Sequence, residues 1–308
     1  MPTARSVWLL ATITLSQCLG ASPSSIEAPQ PASAQRSYRL KLGAFAVAAG
    51  PSVGLIVRAR INGGPPLRLL LDSGSQYVVL DRKTAGKSGC TGGSELDLVG
   101  AGSPAPGTAK ALTAETIEIG DFSLRNVPML ITAHRIADGI DGAIPLSLFA
   151  GFLIRLDVPT RTLDLLPYPP RQAEAGGAVQ AVSVNQLLFL RGVFDETCEG
   201  YFLLDTGAAY NAVSQELSQK LNRFKALAPT LVPVRGGTTA MDAPLFRDTA
   251  KLRFGSRELV SGPVVTIDLS TASRYHNLEV SGLIGYPALR DSVLTVNYRD
   301  RLVRIDPR

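Results

Sequence analysis

The sequence predicts an all-β protein built from two copies of one unit, and three observations carry that reading. The 308 residues include 29 Gly and 21 Pro, with 45% apolar and 19% charged residues. That composition suits a turn-rich chain able to bury a substantial core. Short runs of β-forming residues alternate with Gly- and Pro-containing turns along most of the length. One pattern then occurs twice: Leu69-Leu70-Leu71-Asp72-Ser73-Gly74 and Phe202-Leu203-Leu204-Asp205-Thr206-Gly207. Each copy leads an apolar run into an Asp, a small hydroxyl residue and a Gly.

Taken in order, the chain opens with Arg5 and the apolar run Val7 to Leu15, followed by small and polar residues. A short positive segment before an apolar core too short to span a bilayer reads as a signal peptide over residues 1–20. Its removal deletes one charge, Arg5, from a net +5, and the expected location is periplasmic or secreted. Leu15-Ser16-Gln17-Cys18 loosely resembles a bacterial lipoprotein cleavage site, departing from it at Gln17, so lipid attachment at Cys18 stands as an alternative. Residues 21–52 read as a flexible leader rich in Ser, Pro, Ala and Gln, with Tyr38 to Leu42 alternating as a strand would.

The first unit spans 53–167. Leu55 to Ile61 and Leu67 to Leu71 form a hairpin about Asn62-Gly63-Gly64-Pro65-Pro66 that ends at Asp72. Further strands follow at Tyr77 to Leu80, Thr116 to Ile119 and Val127 to Ile131. Asp141 to Pro145 turns into a helical stretch, Leu146 to Phe149, and a hairpin about Pro159-Thr160-Arg161 closes the unit. Residues 168–182 read as a linker. The second unit, 183–308, repeats the order, with Ser214 capping a helix that runs to about Asn222.

Spacing tests the repeat. Asp72 and Asp205 are 133 residues apart, as are Tyr77 and Tyr210. Gly142 and Gly282 are 140 apart, and the same shift aligns Asp157 with Asn297, Arg161 with Arg301 and Pro167 with Pro307. The seven-residue difference falls in the loop-rich middle, where insertions are tolerated. A period of this size marks a duplicated domain rather than a solenoid.

Several function classes lose support. No Lys/Arg block suggests nucleic-acid binding. Cys90 and Cys198 are isolated, and His134 and His276 lack ligand or triad spacing, so neither a metal nor another cofactor is expected. Two carboxylates brought close together are a different matter. They cannot both ionise easily, so the pair holds one proton over some pH range. The ionised member can accept a proton from water while the protonated member donates one to a carbonyl oxygen. Gly74 and Gly207 permit close backbone approach, and Ser73 and Thr206 offer hydroxyls that can tie the two loops together.

Asp72-Ser73-Gly74 and Asp205-Thr206-Gly207 resemble the paired active-site motifs of aspartic peptidases. Gly142-Ala143-Ile144 and Gly282-Leu283-Ile284-Gly285 are similar to the apolar element behind each active-site loop of that family. The compact units resemble tandem retropepsin-like domains. The resemblance covers about residues 53–167 and 183–308 and implies a β-barrel in each lobe with the acids at the interface. It further implies an endopeptidase acting on peptides or proteins, with Asp72 and Asp205 as catalytic residues. The first unit departs by carrying Pro145 where the second has Gly285, and Ser73 where Thr is commoner. Gly100 and Gly102, and Gly236 and Gly237, mark candidate flaps over the cleft. A monomer with two pseudo-symmetric lobes is expected rather than a homodimer. A non-catalytic peptide-binding or scaffold protein with the same fold is the alternative.

Overall fold

The computed structural model describes residues 15–17, 36–46, 52–100, 107–170, 176–221, 229–235, 240–247 and 250–308. Most of the signal segment, Cys18 and the leader up to residue 35 lie outside the described residues. Strand β1 (Leu15–Gln17) pairs with the edge of the first lobe. That lobe continues with β2 (Tyr38–Lys41), β3 (Gly43–Ala46), β4 (Ser52–Ile61), β5 (Leu67–Asp72) and β6 (Val78–Asp81). Helix α1 (Arg82–Lys87), β7 (Ser94–Val99), β8 (Gly107–Ile119), β9 (Phe122–Thr132) and β10 (Gly142–Pro145) follow. A 3-10 turn at Leu146–Phe149 leads to β11 (Leu153–Asp157) and β12 (Thr162–Leu166).

The second lobe holds β13 (Val179–Val184), β14 (Leu187–Phe194), β15 (Cys198–Leu204), β16 (Asn211–Ser214), α2 (Gln215–Lys220) and β17 (Thr230–Arg235). Then come β18 (Ala240–Phe246), β19 (Ala250–Phe254), β20 (Arg257–Ser261), β21 (Val264–Ile267) and α3 (Ser270–His276). It ends with β22 (Val280–Ile284), α4 (Tyr286–Leu289), β23 (Ser292–Asn297) and β24 (Leu302–Pro307). The expected all-β architecture of two similar lobes is present, and the helices are short.

The repeat is visible in burial. Leu69 and Leu71 point into a core that continues through both lobes, while Leu70 points into a smaller cluster of the first lobe. Phe202 and Leu204 enter the same shared core, and Leu203 a smaller cluster of the second lobe. Strands covered on both faces need continuous apolar runs rather than alternation, which is why three apolar residues precede each Asp. The helix caps also repeat. Asp81 accepts from Thr84 N–H at 2.9 Å, and Ser214, 133 residues later, accepts from Leu217 N–H at 3.0 Å.

The lobes are joined by six consecutive strands in the order β13-β24-β23-β11-β12-β2. At its centre β11 pairs antiparallel with β23, Ile154 opposite Val296, Arg155 opposite Thr295 and Leu156 opposite Leu294. Under the 140-residue shift, Thr295 is the counterpart of Arg155. The pseudo-two-fold axis therefore passes through that one pair.

The outer strands of this sheet correct two boundaries. The stretch read as a flexible leader contains β2, β3 and the first residue of β4, and the stretch read as a linker contains the start of β13. Leu40 pairs opposite Leu163 on β12, and Val179 opposite Val303 on β24. Each lobe thus lends an entering strand to the common sheet, and burial of Leu40 fixes the first in place. Long β8 and helix α3 also exceed what the sequence pattern suggested.

Each Asp-bearing strand is braced by a later one. β10 runs parallel to β5 and antiparallel to β6, and β22 stands in the same relation to β15 and β16. Gly142 and Gly282 sit where these strands converge. A Cβ at Gly142 would lie 2.2 Å from the Val79 carbonyl oxygen, and one at Gly282 would lie 2.3 Å from that of Ala212. The obstacle is backbone in both cases. Gly142→Ala is expected to destabilise the protein by about 1–3 kcal/mol, read as a lowered midpoint in thermal or urea unfolding.

Candidate active site

Asp72 ends β5 and Asp205 follows β15, so two equivalent strands deliver their carboxylates to one place. Both are fully buried at 0% exposure. An ionisable group at that depth is costly unless hydrogen-bonded. Gly74 N–H donates to Asp72 Oδ1 at 2.8 Å. Gly207 and Ala208 N–H both donate to Asp205 Oδ1 at 3.0 Å. Asp72 stands close enough to act on the ionisation of Asp205.

The glycines set how close the loops come. A Cβ at Gly74 would stand 2.6 Å from Asp205 Cγ, and a Cβ at Gly207 would stand 2.6 Å from Asp72 Cγ. Each loop's glycine is therefore packed against the other loop's carboxylate, and any side chain there would push the acids apart. The expected proximity of Asp72 and Asp205 within one chain is present in the geometry.

The hydroxyls interlock as well. Ser73 N–H donates to Thr206 Oγ1, and Thr206 N–H to Ser73 Oγ, both at 3.0 Å. Each hydroxyl then donates across the junction, Ser73 Oγ to the Leu204 carbonyl at 2.7 Å and Thr206 Oγ1 to the Leu71 carbonyl at 2.8 Å. Four buried bonds thus cross between the lobes in a two-fold pattern. A Ser in place of Thr makes the same contacts, so that departure leaves the pattern intact.

The second departure has a physical explanation. Gly285 N–H donates to Asn211 Oδ1 at 2.8 Å. In the first lobe the corresponding positions hold Pro145, which has no N–H, and Val78, which has no acceptor. The donor and its acceptor are absent together. Asn211 is a structural residue of the site that sequence reading missed, and the signal was its place opposite Val78 in the repeat.

Burial, the largest influence, raises the Asp205 carboxyl to about 7, while bonds from Asp72, Gly207 and Ala208 pull it the other way. Burial likewise raises the Tyr298 hydroxyl, with Tyr168 and then Asp72 adding to the shift. That places Tyr298, also missed in the sequence, within the field of the pair. The remaining candidates lie elsewhere. His134 is exposed. His276 is buried edge-on to Phe189 and Tyr275, which holds it near 4 and neutral. Cys90 and Cys198 are free thiols. Among the described residues no three His, Cys, Asp or Glu are grouped to hold a metal.

The strands on either side of both candidate flaps pair antiparallel. β7 pairs with β8 up to Leu98 opposite Gly107, and β17 with β18 up to Arg235 opposite Ala240. Gly100 is buried at the start of the first tip. Gly102, Gly236 and Gly237 lie outside the described residues.

Two measurements test this construction. Thr206→Val removes the acceptor of Ser73 N–H and a buried donor, and is expected to cost about 1–3 kcal/mol in chemical unfolding. The second concerns pH. A carboxyl raised from 3.8 to about 7 holds more protons folded than unfolded across that window. Its contribution is complete below the window and is lost as pH rises through it. Asp205→Asn should therefore gain stability relative to the parent between pH 4 and 7, by at most about 1.4 kcal/mol per pH unit.

A family model described as aspartyl protease matches residues 57–146. The fold is similar to that of an aspartic proteinase from Irpex lacteus, with a TM-score of 0.56 and 10% identity, over 88% of this chain and 97% of that one. No curated protein matches the chain by sequence. The chain is thus a two-lobed protein of the aspartic-proteinase fold whose first lobe carries the aspartyl protease signature.

Proposed function

We propose that the protein is an exported aspartic endopeptidase that hydrolyses peptide bonds with water activated between Asp72 and Asp205. The observation that carries this reading is the pair itself: two fully buried carboxylates brought to one place, each loop's glycine against the opposite acid. The family match of the first lobe and the shared fold support protease chemistry.

With one proton on the pair, the ionised carboxylate removes a proton from the water as its oxygen bonds to the amide carbon. The protonated carboxyl gives its proton to the carbonyl oxygen, producing a tetrahedral diol. The newly protonated carboxyl then gives its proton to the amide nitrogen while the other carboxylate takes one from a diol hydroxyl, so the C–N bond breaks and the pair is restored with a single proton. The backbone donors at Gly74, Gly207 and Ala208 hold the carboxylates in place through both steps. No covalent intermediate forms.

One chain supplies both acids, which supports an active monomer. Export rests on the segment at residues 1–20, and among the described residues no helix is long and apolar enough to cross a membrane. Asp72→Asn and Asp205→Asn should each abolish cleavage of an unstructured peptide library while leaving the circular dichroism of the fold intact. Full peptidase activity in either variant overturns the shared site. The parent's rate should fall in acid as the pair takes a second proton, and fall again above about pH 7 as it loses the first. The activity should elute from a sizing column at the mass of one chain.

A further inference from the structure

Among the described residues the sheet that joins the lobes ends at β2, which has a neighbour on one side only. Leu42 N–H donates to the Arg161 carbonyl at 2.9 Å, and Leu40 stands opposite Leu163 in the same register. An antiparallel ladder turns the main-chain groups of alternate residues to opposite sides. The N–H and C=O of Arg39 and Lys41 therefore face away from β12, along the free edge. Such edges are ordinarily blunted or covered. This one borders a cleft of about 440 Å³, with Arg58 of β4 and the β8–β9 turn at Gly120 and Asp121 among its other lining. The cleft shares no residue with the loops of the carboxylate pair.

The cleft is cationic. Arg36, Arg39, Lys41 and Arg58 line it against one acid, Asp121. Arg39 is committed to buried Asp164, with Nε 2.6 Å from Oδ1. Lys41 Nζ donates to the Thr162 hydroxyl at 3.1 Å and forms no ion pair with another described residue. Arg36 lies over the Tyr38 ring at 5.2 Å. Arg36 and Arg58 are exposed and form no ion pair with another described residue. Arg39 and Lys41 project to the same face of β2, opposite to buried Leu40. A strand added along this edge would present every second side chain to that face.

We propose that the cleft docks an extended acidic segment of another protein, which adds to β2 as an outer strand. Main-chain bonds to Arg39 and Lys41 give the affinity, and acids at alternate positions meet Lys41, Arg36 and Arg58. A concave groove beside main-chain groups that no described strand takes up fits a strand better than a flat anionic surface such as a membrane. The occupant binds outside the carboxylate pair, so the proposal stands apart from the peptidase reading.

The test uses the full chain carrying Asp72→Asn, so that no probe is consumed. Binding of a short labelled peptide alternating Glu and Val is followed by fluorescence anisotropy. The expected result is saturable binding that weakens with salt and drops on the order of tenfold or more in Arg36→Glu/Arg58→Glu. A peptide of the same charge with alternate backbone nitrogens methylated should bind equally weakly, because strand addition needs those N–H groups. Equal binding of the methylated peptide, or undiminished binding by the charge-reversal variant, overturns the proposal. So does sedimentation with phosphatidylglycerol vesicles that the Glu-Val peptide does not displace, since that result assigns the cations to a membrane.

Discussion

Everything in this molecule depends on holding two carboxylates at zero exposure in one place, each against the glycine of the opposite loop. Backbone N–H groups of their own loops, at Gly74, Gly207 and Ala208, bond to the two carboxylates. Holding the pair demands loops that approach more closely than side chains permit, hence glycine at both 74 and 207. It also demands that the lobes cannot drift, hence four buried bonds exchanged between Ser73, Thr206 and the carbonyls of Leu71 and Leu204. Below this junction a shared apolar core and a common sheet carry the same requirement outward.

The two lobes meet that requirement with local differences that cancel. Gly285 brings an N–H that Asn211 accepts, and Pro145 brings none, so Val78 suffices. A buried donor without an acceptor would cost about 1–3 kcal/mol, so the two positions change together or not at all. The seven-residue difference between the units falls between the caps at Asp81 and Ser214 and the braces at Gly142 and Gly282. Both halves of the junction therefore keep their geometry while the intervening hairpins and turns differ.

Much of this was legible in the sequence because the repeat made each weak signal checkable against its copy. Asp-Ser-Gly alone is an ordinary turn. With Asp205-Thr206-Gly207 behind a like apolar run it marks a site, and the structure brings Asp72 and Asp205 together. The boundaries were less legible. Tyr38 to Lys41 is only four residues and stands next to a Ser- and Pro-rich stretch, and what makes it a strand is β12, more than a hundred residues away. The same holds for Val179, paired with Val303. The N-cap position of helix α3 is Leu269, which cannot cap, and the Ser270 N–H is met instead by Asp268 one residue earlier, so the usual start signal is displaced. Asn211 and Tyr298 act through tertiary neighbours that no local pattern records.

The seam at Arg155 and Thr295 has a further consequence. In an assembly of two identical units, the residue on the symmetry axis must face itself. Arginine there would set like charges directly opposite one another across the strands, a repulsive arrangement. Covalent union of the units lifts that obligation, because the two positions are encoded separately and can become complementary. Arg155 opposite Thr295 is such a resolved conflict, and it reaches on to Asp164 at 3.5 Å. The axis of near-symmetry is thus the place where the two halves are least interchangeable. A first lobe paired with a second copy of itself would set Arg155 opposite Arg155, so this seam disfavours self-association by that half.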